Sequence, residues 1–109
     1  MDEEHVQWIE SVGKETEEAR FLYWEQLLGR LLSSVGKTEA DTLNDRKSAP
    51  WKVMIAYNMK KSTLVTNSWL SAHLRMGRPQ GVSRHVCAFE KSKGFKTREY
   101  KRVTAKINT

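Results

Sequence analysis

The sequence predicts an all-α protein: a helix-turn-helix bundle of about five helices with a basic C-terminal tail. Three observations predict it. Apolar residues recur at helical spacing from Phe21 to Val35, and again at Val82, Val86 and Phe89. The chain has two prolines, Pro50 and Pro79, and each fits a first helical position, where the missing N–H costs nothing. The stretch from Thr66 to Val86 reads as a helix, a tight glycine turn and a second helix.

Taken in order, residues 1–14 carry weak signals. Val6 and Ile9 line a short helix that ends near Gly13. From Lys14 to Val35 the pattern is helical, with Phe21, Trp24, Leu27, Leu28, Leu31, Leu32 and Val35 on a wide apolar stripe. Glu15, Glu17 and Glu18 suit the positive end of that helix. Gly29 lies within the stripe and is expected to allow close packing, and Gly36 stops the helix. Thr38-Glu-Ala-Asp41 resembles a capping box with Asp in the usual Glu position, opening a short helix to about Asp45. Asn44 to Ala49 is polar and reads as a linker. Pro50 then starts a central helix over Trp51 to about Lys61, apolar on both faces through Val53, Ala56, Tyr57 and Met59.

Thr66 caps the next helix, whose buried side is Trp69, Leu70 and Leu74. Gly77 is placed where that helix stops and turns. Pro79 opens the last predicted helix, which runs to about Lys91 and turns Val82, Val86 and Phe89 inward. Past Ser92, Phe95, Tyr100, Val103 and Ile107 are too sparse for a core among the many cations, so the segment reads as a mobile tail. Three regions follow: an acidic helical region over 1–48, the helix-turn-helix over 49–92 and the basic tail over 93–109.

Composition narrows the function. The chain has 109 residues, enough for one domain with a modest core. No apolar run approaches the roughly 20 residues needed to span a bilayer, and the acidic start Met1-Asp-Glu-Glu-His is not that of a signal peptide. The one cysteine, Cys87, has no partner for an internal disulfide, fits a reducing cytoplasm and reads as a structural thiol. The net charge of +6 is divided unevenly. Residues 1–48 carry a net of −5, and residues 49–109 carry +11. A basic half that contains the helix-turn-helix is the electrostatic footprint of a polyanion binder.

The expected partner is double-stranded DNA. The last predicted helix turns Arg78, Gln80, Ser83 and Arg84 outward, side chains suited to base edges and phosphates, with Lys91 at its end. Lys60, Lys61, Ser62, Thr66 and Ser68 cluster where the preceding helix begins, a place for phosphate contacts. No catalysis, cofactor or metal is expected. His5, His73 and His85 are far apart in sequence, and His85 with Cys87 makes only two ligands. Tyr57 falls on the predicted central helix and reads as a packing residue. No glycine-rich phosphate loop or Ser-x-x-Lys pattern occurs. The rival reading is a protein-interaction module in which the Lys14–Val35 helix dimerises or docks on another subunit. RNA binding is the weaker third reading, since no platform of exposed aromatics is evident.

Gly36-Lys-Thr-Glu-Ala-Asp41, Trp51-Lys-Val-Met-Ile-Ala56 and Trp69-Leu-Ser-Ala-His-Leu-Arg-Met-Gly-Arg-Pro-Gln-Gly-Val-Ser83 stand in one register. Through them the segment from about Lys14 to Val86 resembles the C-terminal region of REP-associated tyrosine transposases. The helix-turn-helix is also similar to the DNA-binding domain of the bacterial replication initiator and, more distantly, to the tryptophan repressor. There Arg78-Pro-Gln-Gly-Val82 occupies the segment that enters the major groove, with Gln80 as a polar reader and Gly81 in place of a threonine. The transposases' catalytic domain, with its His-hydrophobic-His motif and nucleophilic Tyr, has no counterpart here. The resemblance implies a bacterial DNA-binding module, a small regulator or a transposase remnant. It also implies a catalytic transposase subunit or a second copy as further partner.

Overall fold

The computed structural model describes residues 17–108, and the short helix expected around Val6 and Ile9 lies outside them. Six α-helices and one 3-10 turn follow in order: α1 (Glu17–Val35), α2 (Glu39–Asn44), α3 (Pro50–Ser62), α4 (Asn67–Leu74), α5 (Pro79–Lys91), η1 (Gly94–Lys96) and α6 (Arg98–Asn108). No strand occurs among the described residues. The all-α class holds.

α1 buries Trp24, Leu27, Leu28, Leu31 and Leu32, the spacing of one helical face. Phe21 stays 41% exposed and rests its ring 5.5 Å from that of Trp24. The helix ends as a Schellman turn: Gly36 has φ +74°, Lys37 N–H donates to the Leu32 carbonyl and Gly36 N–H to that of Ser33. Gly29 is exposed, and a Cβ there would meet nothing within 4 Å, so it does not serve close packing.

Thr38 is the N-cap of α2, and its N–H donates to the Asp41 carboxylate at 2.8 Å. α3 is the central helix, burying every residue from Lys52 to Tyr57 and also Met59. α4 begins as expected, with Trp69 N–H donating to the Thr66 hydroxyl at 3.1 Å. It ends two residues earlier than the glycine suggested. Arg75, not Gly77, takes the left-handed conformation after Leu74, with φ 55°. Arg75 and Met76 N–H both donate to the Ser71 carbonyl. Gly77, at φ +90°, completes the four-residue turn to Pro79, and the Ser71 hydroxyl donates to its carbonyl. α5 packs on both α3 and α4.

α1 lies against α3 and α6, and Leu31, Ile55, Leu70 and Val82 belong to one core, so residues on either side of residue 48 pack together. One expectation changes: the segment from residue 93, read as a mobile tail, is packed. η1 packs on α5, and α6 packs on α1 with Val103 only 3% exposed. The reason is aromatic. Phe89, Phe95 and Tyr100 gather round Tyr57 with ring centroids 4.8, 6.0 and 5.6 Å away. Asn58 also donates to the Tyr100 hydroxyl at 3.2 Å. Few apolar residues suffice in α6 because the remaining helices supply their partners.

Candidate nucleic-acid interface

The 100° turn per residue divides α5 into two faces. Val82 is fully buried, and Val86 and Phe89 pack against the same core. Gln80, Arg84, Cys87 and Lys91 recur at intervals of four, three and four residues, which puts them in one line opposite that face, and all four are exposed. Ser83 flanks the line, and Arg78 is exposed at the N-cap. Of the predicted residues, Gln80, Arg84 and Lys91 therefore share one solvent-facing strip, with Ser83 beside it and Arg78 just before the helix.

Cys87 belongs to the same strip and is exposed, which its reading as a structural thiol beside Val86 did not foresee. Its helical spacing from Arg84 and Lys91 carries that signal.

The second predicted group is less uniform. Lys60 is exposed in the last turn of α3, and Thr66 and Ser68 are exposed at the start of α4, with the Thr66 oxygen engaged as the helix cap. Ser62 is half-buried and donates to the Asn58 carbonyl at 2.9 Å. Lys61 is occupied. Its ammonium lies 3.2 Å from the Glu90 carboxylate and 5.7 Å from the Tyr57 ring centre. Glu90 holds the Lys61 ammonium above the usual lysine value. The pair bridges the end of α3 and the end of α5 at the surface and offsets the charge of the one acid on α5.

The turn between α4 and α5 is positioned by a residue that sequence reasoning does not single out. Lys52 is fully buried, and its ammonium donates to the carbonyls of Thr42 at 2.8 Å, Asp45 at 3.1 Å and Arg75 at 3.4 Å. Burial pushes this lysine below its usual range, against the pull of Asp45. Asp45 itself accepts from Trp51 Nε1 at 2.7 Å and pairs with Lys37 at 3.1 Å. Those two donors hold its carboxyl below the ordinary aspartate value. The predicted linker, Asn44 to Ala49, is thus tied at Asp45 through both its carbonyl and its carboxylate.

The remaining polar residues pack rather than cluster. Tyr57 is buried in its aromatic group. The His73 ring stacks on Trp69 at 3.8 Å, and its Nδ1 lies 2.9 Å from the Trp69 carbonyl oxygen. Among the described residues, no group of three or more His, Cys, Asp or Glu is placed to hold a metal, and no helix is long and apolar enough to cross a membrane. Comparison of the chain with protein-family models, with curated proteins and with solved structures finds no match.

Proposed function

We propose that this chain binds double-stranded DNA, with α5 in the major groove, and does no chemistry on it. One observation carries the reading. Gln80, Arg84 and Lys91 form an exposed line directly opposite the buried Val82 face of a helix held by a four-residue turn. Arg and Gln suit guanine and adenine edges, and Lys suits phosphate. The start of α4, with Thr66 and Ser68 exposed, lies at the other side of the turn and would meet the backbone. The net +11 of residues 49–109 favours the same partner. The resemblance to transposase C-terminal regions fits a bacterial regulator or transposase module of this kind.

The interaction-module reading draws less support. The stripe that would dock on a partner, Trp24 to Leu32, is buried within the chain's own core. An RNA platform is likewise poorly supplied, since Phe21 is the one exposed aromatic among the described residues.

The test is binding of the full chain to a labelled random-sequence duplex across a salt series, followed by selection of preferred sequences. Affinity should fall steeply with salt. Arg84→Ala should cost about 1–3 kcal/mol on the selected site and less on random duplex. No retention of duplex at low salt removes the reading. A concentration-dependent mass in the same sample would then favour the interaction module.

A further inference from the structure

We propose that α6 is a second DNA-contact surface, one that meets phosphates beside the groove entered by α5. The inference rests on the reading of α5 given above. Arg98, Lys101 and Arg102 are spaced by three and one residues, which places them on one face of α6. Tyr100 and Val103 occupy the opposite face, against the core. All three cations are exposed, as are Lys93 and Lys96 in the turn before them. Glu99 is the one acid in this segment and lies off the ridge.

Arg98, at the start of the ridge, sits next to α5. An open groove of about 730 Å³ has His85, Ala88 and Ser92 on one wall and Thr97, Arg98 and Glu99 on the other. Arg98 therefore stands across a groove from the edge of the proposed reading helix. The ridge is also held in place. Tyr57, Phe89, Phe95 and Tyr100 join α3, α5, η1 and α6 through their rings, so the start of α6 is anchored to α5. A lysine- and arginine-rich ridge suits a regular array of phosphates, and such contacts set register without reading sequence.

The experiment uses the full chain with Arg98→Gln, Lys101→Gln and Arg102→Gln together, which keeps helix propensity and removes charge. A second variant carries Lys93→Gln and Lys96→Gln. Binding is measured across a salt series on random duplex and on the selected duplex. The triple variant should flatten the slope of log affinity against log salt by roughly 0.9 for each phosphate no longer neutralised, thus by about 2–3. The fold-loss should be equal on the two duplexes, whereas Arg84→Ala should narrow the difference between them. If the wild type binds duplex and both variants keep its slope, α6 is not a contact surface, and the reading of α5 stands. If the wild type does not bind duplex, both fail. If the triple variant loses single-stranded RNA of the same length but keeps duplex, the ridge serves RNA, and the proposal is overturned.

Discussion

Lys52 and Arg75 meet at 3.4 Å, the buried ammonium of α3 donating to the carbonyl of the residue that ends α4. The same ammonium serves Thr42 and Asp45, so one cation ties the end of α2, the loop before α3 and the turn before α5. Three N–H donors meet three carbonyls, which satisfies a charge that burial would otherwise make costly. The stability of the turn, and with it the placement of α5, passes through this contact.

Replacing that cation should therefore be expensive. Lys52→Met keeps the stem and the volume but leaves the three carbonyls without this donor. A loss of about 1–3 kcal/mol in unfolding free energy is expected, read by urea denaturation. A variant as stable as the parent would mean that water or a backbone shift replaces the ammonium.

The neighbouring carboxylate gives a pH dependence. Trp51 and Lys37 hold the Asp45 carboxyl below the value it has in the unfolded chain. Its contribution is therefore complete above the unfolded value and is lost as pH falls through the folded one. Thermal stability should fall on acidification below the ordinary aspartate range. Asp45→Asn should flatten that limb while leaving the other acids to titrate. Equal slopes in parent and variant would rule out this role.

Much of the helix-turn-helix could be read in advance, because its signals are local. A threonine cap acts three residues away, a proline fixes its own φ, and Val82, Val86 and Phe89 repeat along one helix. The same locality explains what could not be read. Lys52 looks like any helical lysine until residues 10 and 23 positions away offer their carbonyls. Arg75 takes the left-handed conformation that sequence favours for glycine because its carbonyl and the Met76 N–H are both bound. Lys61 looks free for phosphate because Glu90 lies far along the chain. In the C-terminal segment the signal is present but thin: Tyr100 and Val103 stand three apart, as on any amphipathic helix, and their partners lie in α1 and α3.

Gly29 offers a gain rather than a loss. It lies inside a 19-residue helix, and the space beside it is open. Gly29→Ala removes backbone freedom from the unfolded chain and adds no clash. Stability should rise by about 0.5–1 kcal/mol. A decrease would show that the surface at Gly29 is occupied.

Gly94 is the opposite case. A Cβ there would stand 2.5–2.8 Å from the Phe89 ring, which Tyr57 and Tyr100 hold from other sides. The ring has little room to retreat. Gly94→Ala should destabilise by about 1–3 kcal/mol, as overpacking does in a filled core. The near-ultraviolet circular dichroism of the aromatic group should change with it. A neutral result would mean that η1 moves off the ring without loss.

Removing the C-terminal segment separates a docked helix from a loose tail. A mobile tail could be cut after Ser92 with little loss of helix elsewhere. The packing predicts otherwise, because the cut removes Val103 from the core and strips Phe95 and Tyr100 from the rings round Tyr57. Burying one valine fully is worth about 1.5–3 kcal/mol, and the two aromatic contacts add about 0.5–1.5 kcal/mol each. Against the 5–15 kcal/mol typical of a whole domain, roughly 2.5–6 kcal/mol is a large share. A fall of more than about 10 °C in melting temperature is expected for a chain of this size. Helix content should fall by more than the deleted residues contribute. If the shortened chain melts with the parent, α6 is a passenger on the fold, and its cations have no set position beside α5.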